Sequence, residues 1–174
     1  MKSGCLRIKP GDPKIYAEVQ TLIYDSSHEL LDFMFGDART AKNVIGALFK
    51  KKFGHFSHVF STTISLDGKV VGIELGYDKG ELERQEFKGS IALFLASPVS
   101  NWLHLIGTVG PSLEGYIRKP GQNTYYINNI AVSSEYRGKG IGEKLLLDTI
   151  GQAEKAGYDA VELDVTASNA GAIG

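Results

Sequence analysis

The chain carries a single cysteine, Cys5. One thiol excludes an intrachain disulfide framework and suits a reducing, cytoplasmic compartment. As a small apolar residue beside the first strand, Cys5 reads as a packing residue rather than a nucleophile. An excess of charge of either sign is also missing. The 19 Lys and Arg against 20 Asp and Glu leave a net charge of −1, which implies no broad basic face for nucleic acid. No apolar run reaches the roughly 20 residues of a membrane span. Met1 to Pro10 has no apolar signal region, and no repeat or low-complexity tract occurs. The four histidines, His28, His55, His58 and His104, lack metal-ligand spacing. Only His55 and His58 stand close, with no cysteine partner, so no metal is expected. No G-x-x-x-x-G-K-[ST] run occurs, which excludes a Walker-type nucleotide loop.

What remains is an ordinary globular composition, 43% hydrophobic and 22% charged. At 174 residues it suits a single domain over residues 1–174 with a sizeable core. The informative stretch comes late. Tyr125 to Val132 is aromatic and branched, as a pleated strand requires. Ser133-Ser134-Glu135-Tyr136 breaks it, and Arg137-Gly138-Lys139-Gly140-Ile141-Gly142 opens a helix. Leu145, Leu146, Thr149, Ile150 and Ala153 form that helix's apolar stripe, and Gly157 closes it. Val161, Leu163 and Val165 then alternate with Glu162 and Asp164, a second strand. A strand, a glycine loop and a helix head together favour an anion. The first helical N–H groups have no internal partner, the dipole is positive there, and glycine admits close approach. A phosphate or diphosphate is the expected guest, with Arg137 and Lys139 adding positive charge.

The run Arg137-Gly138-Lys139-Gly140-Ile141-Gly142 resembles the R/Q-x-x-G-x-G/A acyl-CoA loop of the GNAT superfamily of N-acetyltransferases. Ile130-Ala131-Val132 resembles the strand before that loop, and Asn169 resembles the asparagine of the family's next motif. A dinucleotide-binding unit is the rival reading, with Gly138, Gly140 and Asp164 in its favour. Its fingerprint, G-x-G-x-x-G, would need a third glycine where Glu143 stands, and no strands remain for the far half of a doubly wound sheet. A purely structural glycine turn is the other alternative.

Upstream, Cys5 to Ile8 reads as a short strand. Asp12-Pro13 starts a helix whose apolar face is Ile15, Val19, Leu22 and Ile23. Ser26 and Glu29 have capping-box spacing for a second helix ending near Gly36. Thr40 starts a third, Ala41 to Phe53, with Lys50-Lys51-Lys52 as a solvated C-terminal end. His58 to Leu66 and Lys69 to Tyr77 form a hairpin about Asp67-Gly68. Glu81 to Phe87 reads as helical. Ile91 to Ile117 is largely apolar, interrupted by Pro98 and Pro111, and is expected to form a helix or two covering one sheet face, with Phe94 and Trp102 in the core. The element order resembles the GNAT fold: an α/β domain with a central mixed, mostly antiparallel sheet flanked by helices on both faces. In that family the asparagine motif is followed by a helix bearing a tyrosine and by closing strands. Here the chain stops at Gly174, so the expectation is a truncated C-terminal part and an incomplete acceptor half of the sheet.

The resemblance implies transfer of an acetyl group from acetyl-CoA to a primary amine, on a small molecule or a protein, by direct attack. The thioester must be placed beside the amine, its oxygen polarised and the ammonium proton removed. It implies that backbone groups of Ile130, Ala131 and Val132 hold the pantetheine, that amides from Arg137 to Gly142 hold the diphosphate, and that Asn169 contacts the pantetheine. The family's strand carboxylate or histidine falls at Tyr126 or Asn128, which share a strand face with Ile130 by alternation. Glu74 and Asp78 are alternative carboxylates, as are Glu81, Glu83 and Glu86, whose plainer reading is a solvated helix face. Tyr77 and Tyr125 line the acceptor pocket or pack. A CoA-binding sensor or interaction module without catalysis is the second reading. A homodimer is compatible with the family, and no nucleic-acid or membrane partner is expected.

Overall fold

The computed structural model describes residues 5–116 and 120–165. Five strands form one sheet in the order β1-β2-β3-β4-β5. They are β1 (Leu6–Pro10), β2 (Ser61–Leu66), β3 (Lys69–Asp78), β4 (Thr124–Val132) and β5 (Ala160–Leu163). The first three junctions are antiparallel and only β4–β5 is parallel. The hairpin between β2 and β3 turns on Asp67 and Gly68, both at positive φ, 50° and 89°. That is the geometry a two-residue hairpin prefers and the reason Asp-Gly marks one.

Before β2 the chain makes three helices: α1 (Tyr16–Ser26), α2 (His28–Phe35) and α3 (Ala38–Phe49). Asp12 accepts from the Lys14 N–H ahead of a short 3-10 turn with proline at its start, as the sequence predicts. The capping box at Ser26 and Glu29 does not form. Ser26 Oγ donates to Ile23 O at 2.7 Å instead, because α1 runs on through Ser26 and leaves that hydroxyl on a helical turn. Asp37, not Thr40, caps α3, accepting from Arg39 N and Thr40 N. The helix ends at Phe49, short of the expected Phe53, so the lysines 50–52 follow it rather than end it. His58 to Phe60 is a 3-10 turn, not strand.

After β3, α4 (Lys79–Ala96) is much longer than the expected Glu81 to Phe87. Pro98 does break the chain there, and α5 (Trp102–His104), a π-helical turn at Leu105–Val109 and α6 (Gly110–Tyr116) follow it. The last helix, α7 (Ile141–Ala156), connects β4 to β5.

The helices divide unequally between the sheet faces. One face carries α1 to α4, with Val19, Ile23, Leu31, Ile45 and Phe49 packed against Ile73, Leu75 and Tyr77 of β3. The other carries α7, whose Ile141 and Leu145 meet Ile64 and Val71 with Ile130 and Val132 beside them. Of the α7 stripe, Leu145, Thr149 and Ala153 are buried, while Ile150 is 41% exposed. Phe94 stacks edge-on against Trp102, and the Trp102 indole donates to Phe94 O at 3.0 Å.

Candidate functional site

The site follows from where two parallel strands separate. β4 and β5 pair from Thr124 with Ala160 to Ile127 with Leu163. There β5 ends, while β4 continues five residues further, to Val132, paired with β3 alone. Past Ile127, then, β4 has one edge without a strand partner among the described residues. A strand edge of that kind is a template for another extended chain.

At the fork β4 carries a bulge. Leu75 pairs with Asn129 but Gly76 with Ile127, which leaves Asn128 as the extra residue. The bulge breaks the alternation that places Tyr126, Asn128 and Ile130 on one face. Tyr126 packs with the larger cluster, whereas Ile130 packs with the smaller one, under α7. The inward asparagine is Asn129, 6% exposed. Its amide donates to Ser26 Oγ at 2.9 Å and to Ser27 Oγ at 3.1 Å, tying β4 to the α1–α2 junction. Asn128 donates to Asn129 Oδ1 at 2.6 Å. Sequence reasoning missed Asn129 because, without the bulge, it falls on the wrong face. Two adjacent asparagines inside an apolar strand were the only signal.

Across the fork, Tyr126 donates to Asp164 Oδ2 at 3.0 Å. Asp164 is the first residue after β5, so this bond spans the two strands where they part. Glu74 lies on the α7 face of β3, opposite Ile130 in register. It is 1% exposed, and Tyr125 donates to its carboxylate at 3.2 Å. Burial pushes its pKa up to about 8, against the opposing effect of that hydrogen bond. Burial likewise raises the Tyr125 and Tyr77 hydroxyls well above their ordinary value. Tyr77 stacks among His55, Phe60 and Tyr126, a packing role. Asp78 caps α4 through Glu81 N and accepts from Tyr158, while Glu81 pairs with Arg84 at 2.6 Å. Glu83 and Glu86 are exposed on α4. Among the described residues no three His, Cys, Asp or Glu side chains gather as a metal site would need.

The glycine loop lies beyond the open end of β4. Gly138 and Gly140 adopt φ of 71° and 72°, a left-handed backbone that costs other residues roughly 1–2 kcal/mol. Gly140 is the N-cap of α7, with no side-chain cap. The first bond across the helix start runs from Lys144 N to Gly140 O at 3.0 Å, so the amides of Ile141, Gly142 and Glu143 precede it and point outward. Arg137 Nε donates to Val132 O at 3.1 Å, which leaves four of its five donors for other partners. Lys139 lies over the Tyr136 ring, 4.9 Å from its centre, and donates to Glu135 O at 3.2 Å. The fork and the helix head are therefore continuous, joined by Ile130, Ala131 and Val132. Asn169 lies outside the described residues.

The family model described as "Acetyltransferase (GNAT) family" matches residues 24–174. The chain belongs to the GNAT family. Its structural relatives agree in fold. A solved acetyltransferase superposes with a TM-score of 0.69 at 17% identity, over 96% of this chain and 84% of its own. A ribosomal-protein-alanine N-acetyltransferase from Brucella melitensis gives 0.52 at 14%, over 95% and 83%. An aminoglycoside N-acetyltransferase solved in complex with CoA gives 0.55 at 10%, over 97% and 82%. No curated protein matches the sequence. Within this GNAT domain the mixed sheet with helices on both faces is the expected architecture, and the late strand–loop–helix is the stretch by which the family was recognisable.

Proposed function

We propose that this GNAT protein transfers an acetyl group from acetyl-CoA to a primary amine. The observation that carries the reading is the edge of β4 from Asn128 to Val132, which has no strand partner among the described residues and leads through the glycine loop to a helix head with no side-chain cap. The pantetheine arm, an extended chain with amides of its own, suits the backbone of Ile130, Ala131 and Val132. The diphosphate suits the amides from Gly138 to Gly142, with Arg137 and Lys139 neutralising its charge. Asn169 is proposed as a further pantetheine contact.

The amine nitrogen attacks the thioester carbonyl carbon. A C–N bond forms, the C–S bond breaks, and the ammonium proton leaves before attack while CoA departs as the thiol. Of the candidate residues, Tyr126 and Asn128 stand where β4 and β5 part. Asp164, hydrogen-bonded to Tyr126, supplies a carboxylate at the fork to accept that proton through water. Glu74 is a poorer choice on geometry. Its carboxyl is buried under α7 and stays protonated up to about pH 8. The names of the relatives point to protein and small-molecule acceptors alike, and the acceptor class is left open between them.

A thiol-release assay over a panel of amines tests the reading. CoA release with at least one amine is expected; no release with any amine would overturn it. A second reading is favoured by one observation: β4 carries no carboxylate or histidine at the fork. Tight acetyl-CoA binding with no turnover on any amine would identify a CoA-binding module that does not catalyse.

A further inference from the structure

The two adjacent asparagines of β4 belong to a hydrogen-bond relay whose polarity is fixed at one end. It starts at Ile23 O on α1, an oxygen that can only accept. Ser26 Oγ lies 2.7 Å away and donates its one proton there. Toward Asn129 that hydroxyl can therefore only accept, so Asn129 must turn its NH2 group to it, at 2.9 Å. The second N–H of that group goes to Ser27 Oγ at 3.1 Å. Asn129 Oδ1 is left facing Asn128, which must in turn present its own NH2, at 2.6 Å. Asn128 cannot flip without setting its oxygen against that of Asn129.

The relay ends on the Asn128 carboxamide oxygen. That oxygen makes no hydrogen bond among the described residues, and it is not sealed inside the protein. Asn128 is the extra residue of the bulge, half-buried at the point where β4 leaves β5. A carbonyl oxygen held there in one orientation suits an N–H donor and repels a carboxylate or another carbonyl.

We infer that Asn128 Oδ1 receives one N–H of the acceptor amine, and that Asn129, held by Ser26 and Ser27, is the positioning residue that keeps that oxygen turned to the fork. The inference rests on the acetyl-transfer reading. A neutral primary amine has two N–H groups and a lone pair. With one N–H on Asn128, the lone pair is left for the thioester carbon. As the C–N bond forms, the nitrogen becomes positive and its bond to the carbonyl oxygen strengthens, so the transition state gains more than the ground state. The proton of the other N–H leaves the nitrogen as the C–S bond breaks and ends on the CoA thiol. Asn128 itself takes no proton. A secondary amine has one N–H, and that proton must leave, so it cannot keep the bond to Asn128 throughout. Asn128 thereby selects primary over secondary amines.

Acetyl transfer by the full chain tests this, on the amine that wild type turns over fastest and on its N-methyl derivative. Wild type should favour the primary amine. Asn128→Ala should lower kcat for it about tenfold, the worth of a hydrogen bond to a charged group, and reduce the preference by the same factor. KM for acetyl-CoA should hold. Asn129→Leu offers Asn128 no acceptor and should act alike. Asn129→Asp still accepts from Asn128 and should restore most of the preference. A loss of folding would lower activity on both amines and leave their ratio unchanged. An unchanged ratio in Asn128→Ala overturns the inference while the acetyl-transfer reading stands, as does equal loss of preference in Asn129→Asp and Asn129→Leu. No turnover of any amine by wild type overturns both.

Discussion

Glu74 and Asn129 are buried polar side chains with opposite legibility. A glutamate in an apolar strand stands out in the sequence, and the structure gives its fully buried position a physical consequence. Its pKa rises from 4.5 to about 8 in the folded chain. Below 4.5 folded and unfolded chains both hold the proton; between 4.5 and about 8 only the folded chain does. Stability therefore falls as pH rises through that window and levels off above it. Thermal unfolding followed from pH 4 to pH 9 should show this decline, and Glu74→Gln should flatten it, matching wild type near pH 5 and exceeding it near pH 8. Asn129 was hidden, because strand alternation assigns Asn128 to the fork. Asn129→Ala leaves Ser26 and Ser27 without their donor and should lower stability by about 1–3 kcal/mol, measured by urea unfolding.

The α7 helix was the most readable element, since its glycine loop, apolar stripe and terminal glycine all agree on one structure. Its head gives a direct test. Gly140→Val puts a branched side chain into a left-handed backbone position and among the amides proposed to hold the diphosphate. Coenzyme A affinity, measured by calorimetry, should fall about tenfold, since the empty loop relaxes out of the left-handed geometry and binding must restore it at a cost of roughly 1–2 kcal/mol. Arg137→Ala should weaken binding by a similar factor through loss of a charge-assisted contact, worth about 1.5–3 kcal/mol, and with little change in melting temperature. α4 was the least readable element. Its apolar residues fall on two faces instead of one, and a pattern without a single polar face has no clear helical period. Ala92 packs against the core, while Phe87, Ile91 and Leu95 are exposed.

The two hydrophobic clusters divide the molecule's labour. The larger cluster joins α1 to α4 to the sheet; the smaller one seats α7 and its loop. Phe49→Ala, in the first, should cost about 3–5 kcal/mol while leaving coenzyme A affinity unchanged in the folded fraction. Leu145→Ala, in the second, should cost about 2–5 kcal/mol and also weaken coenzyme A binding, because it loosens the helix whose head is proposed to hold the diphosphate. Parallel denaturation and binding measurements on the two variants separate these outcomes.

Local chemistry could be read from residue order alone: the Asp67-Gly68 hairpin, the glycine-opened α7, the strand before it, and through them the family. Each depends on neighbours a few positions apart, and backbone preference and periodicity act at that range. The fork between β4 and β5, the bulge that turns Asn129 inward, the Tyr126–Asp164 bond across the gap and the raised pKa of Glu74 were settled only in three dimensions. All four depend on where one strand stops beside another, or on how much water a distant helix excludes, and neither is a property of any short stretch of chain.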